Sequence, residues 1–143
     1  MKPEATGRLR HIQTSVEEPG FPAAVSDGRY VYVSQLLPRQ ADGTVPVGIR
    51  RQVQQALQNL FEVLSTAGAA PETLLQLTLT VADDRAVSAA KKAYSQWMPG
   101  PGPALCWRFG RLPGALVAVD AVAAVTAQQP APADPPPAGS AKV

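Results

Sequence analysis

The chain has 143 residues, 45% of them apolar, a formal charge of +2 at pH 7, one cysteine and one histidine. This is room for a single domain with a real core. No basic run interleaved with aromatics is present, so no nucleic-acid partner is expected. No apolar stretch approaches the ~20 residues that cross a bilayer, so no membrane partner is expected either. One thiol cannot close an intrachain disulfide, and with one imidazole it makes a poor metal set. The first ten residues, MKPEATGRLR, carry no apolar secretory segment, and a cytoplasmic location is expected. Charged residues make up only 17%, too few to cover a small domain's surface, which points to a subunit interface.

Residues 1–7 read as a flexible terminus, and a single domain is expected over 8–125. Arg8–Ser15 (RLRHIQTS) alternates like a strand, with His11 as a surface or hydrogen-bonded structural residue. Glu17–Pro22 is a loop by its Pro and Gly content. Ala23–Ser26 is a short strand, Asp27-Gly28 a hairpin turn, and Arg29–Ser34 (RYVYVS) the clearest strand of the first half. Pro38–Gly48 is a loop of breakers. A helix follows from Ile49 to Ala67, with Ile49, Val53, Ala56, Leu57, Leu60, Val63, Leu64 and Ala67 on one stripe and Gly68 as its stop. Its other face, with Arg51, Gln54, Gln55, Gln58 and Glu62, reads as solvated.

Leu74–Val81 places Leu75, Leu77, Leu79 and Val81 on a helix-facing side. Gln76, Thr78 and Thr80 fall on the other, toward water or a second subunit. Asp83-Asp84 suits a helix start. That helix runs to Trp97, with Val87, Ala90, Tyr94 and Trp97 at core spacing, and Met98–Pro103 ends it. Ala104–Phe109 and Leu116–Val125 are two more strands, joined through a turn at Leu112-Pro113-Gly114. Asp120 interrupts the apolar last strand, on the face of Leu116, Ala118, Val122 and Ala124. A lone carboxylate there must find a donor, neutralise or line a cavity. Residues 126–143, rich in Pro and Ala, read as a disordered, partly polyproline II tail. The order β-β-β-α-β-α-β-β predicts an α+β fold: a six-stranded mixed sheet with two helices on one face and a bare face that needs a partner.

Five segments together resemble the Rid (reactive intermediate deaminase, YjgF-like) family over about residues 19–125. They are DGRYVYVSQLLP, QVQQALQNLFEVLSTAGA, VADD, AYSQWM and PALCWRFGRLPGALVAVDAVA, the last being the most specific. The resemblance implies a chorismate-mutase-like fold and a homotrimer with clefts between subunits. It also implies hydrolysis of small enamine or imine metabolites without cofactor or metal.

Carried over residue by residue, the resemblance implies Asp120 as the catalytic carboxylate that positions or activates water. It implies Phe21, Ser34, Gln35, Lys91, Leu105, Cys106 and Trp107 as the substrate-binding set. Departures accompany this. The arginine that pairs with the substrate carboxylate is replaced by Leu105, or by Ala104 under a one-residue gap. Phe21 replaces a tyrosine, Gln35 a glycine, and Lys91 an asparagine. Cys106 matches the family cysteine if the gap is accepted, and Trp107 if it is not. Lys91 and Arg108 remain as cations for a relocated contact, though both read more simply as surface residues. The sequence therefore leads to the expectation of a diverged member acting on another small enamine, imine or carbonyl intermediate rather than the usual amino-acid-derived imines. Such an enzyme would be a cofactor-independent hydrolase or a related lyase or cyclase. The alternative is a non-catalytic trimer that binds a small metabolite or a partner protein. A ribonuclease reading finds no histidine pair and no basic cleft.

Overall fold

A computed structural model describes residues 9–13 and 21–126; the reading of residues 1–7 as a flexible terminus, and that of 126–143 as a tail in all but Thr126, lie outside them. The strands are β1 (Arg10–Ile12), β2 (Ala24–Ser26), β3 (Tyr30–Leu36), β4 (Leu74–Val81), β5 (Ala104–Phe109) and β6 (Val117–Ala124). The helices are α1 (Ile49–Thr66), between β3 and β4, and α2 (Val87–Trp97), between β4 and β5. The element order is the one the alternation and the helical stripe predict, in a six-stranded sheet ordered β1-β2-β3-β6-β4-β5. Only the β4–β5 pair is parallel. α2 is the crossover that a parallel pair requires.

Local chemistry explains the turns. In the β2–β3 hairpin the Asp27 carboxylate accepts from the backbone N–H groups of Arg29 and Tyr30, both at 2.9 Å. Those donors, Tyr30 first, hold its pKa below the ordinary aspartate value. Asp83 accepts from the Arg85 N–H at 3.0 Å and so caps the short turn that leads into α2.

The core lies on one side of the sheet. Val53, Ala56, Leu57, Leu60, Val63 and Leu64 of α1 are buried against Val31, Val33, Leu77, Leu79, Val81, Val117 and Val119. α2 adds only Ala90 and Ala93 as fully buried residues. Trp97, placed in the core by its spacing, is 42% exposed, because Ala93 rather than Trp97 meets α1's layer. Leu75 is likewise not on the helix face: the β4–β6 register slips between Leu74 and Gln76, and Leu75 is left 48% exposed. The last two strands do not pair with each other either. β4 lies between them, and the β5–β6 connection straddles its end, with Gly110 N–H on Val81 O and Ala82 N–H on Leu116 O.

Two buried polar residues of α1 tie this connection and the preceding loop to the helix. The Gln52 carboxamide donates to Pro46 O at 2.9 Å and accepts from Leu116 N–H at 2.7 Å. Asn59 donates to Leu37 O and Arg39 O, at 3.1 and 2.9 Å, and so anchors the chain where it leaves β3. Gln52→Met keeps the volume but strands one backbone donor and one acceptor. It is expected to lower stability by about 2 kcal/mol, seen as a lower urea midpoint at unchanged slope.

Candidate functional site

Asp120 sits in the middle of β6 on the face that no helix covers. Its strand partner on β4 is Thr78, which pairs on its other side with Cys106 of β5. On the β3 side the ladder is irregular. Val33 pairs with Ala121 and Leu36 with Val119, so two residues, Ser34 and Gln35, stand opposite Asp120 alone. That is a β-bulge, and Gln35 within it has φ 40°, the one positive φ among the described residues other than glycine. The Gln35 N–H released from the ladder donates to Asp120 Oδ1 at 3.2 Å. The carboxylate is thus oriented by a backbone donor and stays half-buried.

It lines a groove of about 230 Å³ with Tyr32, Ser34, Gln76, Thr78 and Val122. Val33, Ala121 and Val122 give the wall an apolar part, against which a phenol, hydroxyls and a carboxamide stand near one acid. Ser34 and Asp120 are the sequence-derived site residues that it brings together directly, with Gln35 bonded to Asp120 at its edge. Cys106 lies on the same face two strands away and is exposed. Tyr32, Gln76 and Thr78 were missed as site residues. The signal for Gln76 and Thr78 was present in their alternation on the polar face of β4.

The rest of the expected set lies elsewhere. Leu105 and Trp107 pair with Leu77 and Leu79, both buried in the helix-side core. Trp107 packs edge-to-face on Tyr94 of α2, centroids 6.4 Å apart, with Lys91 Nζ 5.8 Å from its ring centroid. The cation over the indole face and the aromatic pair read as a packing cluster at the sheet edge. Burial raises the pKa of the Tyr94 hydroxyl. Phe21, just ahead of β2, is 68% exposed. Of the two cations considered, Lys91 is therefore on the helix side. Arg108 alternates with Cys106 and pairs with Thr80, on the bare face. A larger cavity of about 540 Å³ lies among Val47–Arg51 and Trp97 at the start of α1, and no carboxylate lines it.

A mixed sheet backed by two helices on one face, with an acid held in a groove on the other, is the chorismate-mutase-like α+β architecture. The chain belongs to the Rid (YjgF-like) family: the family model described as "Endoribonuclease L-PSP" matches residues 15–125. A goat protein named 2-iminobutanoate/2-iminopropanoate deaminase is 31% identical over 80% of this chain and 90% of its own length. The bovine protein of the same name is 32% identical with the same coverage. Among solved structures, a Rid-family protein from Yersinia pestis superposes with a TM-score of 0.76 at 25% identity, covering 82% of this chain and 99% of that one. TdcF of E. coli with bound serine gives 0.76 at 19% identity over 82% and 99%, a likeness of fold.

These relatives correct one expectation. The replacement of the family arginine by Leu105 had suggested a member that left amino-acid-derived imines for another substrate. Proteins that match four-fifths of the chain are named for deamination of two such imines.

Asp120→Asn retains an oxygen acceptor for the Gln35 N–H, and that bond is solvent-exposed. The variant is expected to stay within about 0.5 kcal/mol of the parent in denaturant unfolding, which makes it a clean probe of the charge.

Proposed function

We propose that the protein hydrolyses small 2-imino acids to 2-oxo acids and ammonia, in clefts formed where three copies of the chain meet. The observation that carries this reading is Asp120, oriented by the Gln35 N–H in a groove on the bare sheet face. Imine hydrolysis needs a base near the carbon that water attacks. Asp120 takes a proton from water as its oxygen bonds to C2 of the protonated imine, giving a tetrahedral amino alcohol. The same carboxyl then delivers that proton to the nitrogen. The C–N bond breaks, ammonia leaves, and Asp120, again a carboxylate, takes the hydroxyl proton as the C2 carbonyl forms and then releases it to solvent or to ammonia. General acid–base help of this kind contributes about 10²–10⁴-fold.

The substrate is an anion, and a carboxylate in a cleft calls for a cation or several donors. Arg108 meets that need. It shares the bare face with Asp120, lies one rank along the sheet and two strands across, and has no ion pair among the described residues. Two strand spacings across and one same-face rank along come to roughly 12 Å between backbones, a span that a small imino acid and an extended guanidinium cover together. Thr78 and Cys106 supply the wall between. Assembly is supported by what one chain leaves open: Tyr30 and Tyr32 of β3 are exposed large side chains on the uncovered face. A second copy laid there turns an open groove into a cleft. The family description names an endoribonuclease, yet the chain's one histidine, His11 on β1, stands three strands from Asp120.

The test is ammonia release from 2-iminobutanoate, formed in situ from 2-aminobutanoate by an amino-acid oxidase. The protein is expected to accelerate it, with no change after dialysis against a chelator, and Asp120→Asn to lower the rate at least 100-fold. A wild-type rate equal to the uncatalysed one would overturn the reading. Arg108→Gln is expected to raise KM for the imino acid more than tenfold while leaving kcat within about threefold, as loss of a charged hydrogen-bonded contact of about 1.5–3 kcal/mol predicts. Sedimentation is expected to give three times the 15.0 kDa chain mass.

A further inference from the structure

Gln35 holds a left-handed backbone conformation that glycine adopts without strain and a residue with a Cβ does not. Its contribution to the fold is the N–H that Asp120 accepts. Glycine at the same φ would donate that bond equally well. The Gln35 side chain is exposed, and its carboxamide makes no hydrogen bond among the described residues. The side chain therefore adds strain to a bulge and returns no contact that the folded chain uses. Strain kept beside a working carboxylate points to a use in the bound state.

We propose that the Gln35 carboxamide recognises the imine nitrogen of the substrate, an inference that rests on the imine-hydrolase reading above. Sheet order sets the direction. β3 and β5 lie on opposite sides of Asp120, in the sequence β3-β6-β4-β5. With the carboxylate drawn toward Arg108 on β5, the other substituents on C2 extend toward β3, where Gln35 stands. The carboxamide oxygen is an acceptor suited to an iminium N–H. It holds the nitrogen beside Asp120 until the proton arrives, and then holds the leaving ammonia. A 2-oxo acid has no such donor and no charge at that atom, and the neutral bond from the carboxamide NH2 to its oxygen is the weaker one, so Gln35 makes the site prefer imine over product.

The experiment compares Gln35→Gly, Gln35→Ala and wild type in the 2-iminobutanoate assay, with 2-oxobutanoate as competing product and thermal unfolding in parallel. Gln35→Gly is expected to raise the melting temperature by about 2–5 °C, because strain is relieved, and yet to lower kcat/KM about tenfold. Gln35→Ala keeps the strain, so it should lose a similar factor in kcat/KM without the gain in melting temperature. In both variants the inhibition constant of 2-oxobutanoate should stay within twofold of wild type. An active wild type with Gln35→Gly equally active would overturn the proposal while leaving the imine-hydrolase reading in place. Equal weakening of imine and oxo acid would overturn it too, since the side chain would then act on groups the two share. A wild type without imine hydrolysis would overturn the underlying reading, and this inference with it.

Discussion

Two helices of 18 and 11 residues cannot cover both faces of a six-stranded sheet, and most of what distinguishes this chain follows from that shortage. The helices bury one face into a dense aliphatic core. The other face holds side chains that tolerate water in a single chain and gain from its removal: Tyr32, Gln76, Thr78, Arg108 and Asp120. Electrostatic contacts strengthen as the local dielectric falls. An acid on such a face is modest in one open chain and stronger in a closed cleft. The uncovered face and the groove around Asp120 thus have one physical origin.

The bulge in β3 reconciles two demands on the same strand. Val31 and Val33 are core residues at a period of two, and continued alternation would bring residue 35 into the core and send Leu36 to the open face. One extra residue turns Leu36 inward, where it is buried, and frees the N–H of Gln35 for Asp120. The Leu37 and Arg39 carbonyls bonded by Asn59 hold the following chain against α1, so the bulge cannot easily slide. The packing of Leu36 in the core and the orientation of Asp120 in its groove are met by the same backbone irregularity.

The period-two strands, the stripe of α1 and the Asp27-Gly28 hairpin were legible in the sequence because each signal lies within a few residues of itself. The bulge was half legible: the apolar spacing Val31, Val33, Leu36 breaks the period, and the sequence reading ended its strand at Ser34. What could not be read was what lies beside what. Gln52 and Asn59 stand outside the apolar stripe and drew no reading from the sequence, because most of the loop groups they bond to are far from them along the chain. Leu75 looks like a core residue until β4 is paired with β6 and slips. The turn at Pro113-Gly114 suggested strands joined as neighbours, whereas β4 separates them. For the site, Asp120 stood out as an acid in an apolar strand. Tyr32 and Gln76 joined it only once β3 and β4 were set on either side of β6.

The loss of an arginine from a family motif was the feature that most misled the functional reading, and strand geometry shows why. A motif records positions along one strand, but binding depends on which face a side chain occupies and how far it reaches. Leu105 pairs with Leu77 and belongs to the helix side, so a cation at that position in this register would not meet the bare face at all. Ala104, Cys106 and Arg108 alternate onto the face that carries Asp120. Arg108 is four positions beyond Ala104, about 13 Å along an extended strand. Arginine is the side chain best suited to recover part of such a distance, through a long flexible stem and a planar fork that fits a carboxylate. The loss of one motif residue is therefore weak evidence of a changed substrate while another cation shares the face of Asp120.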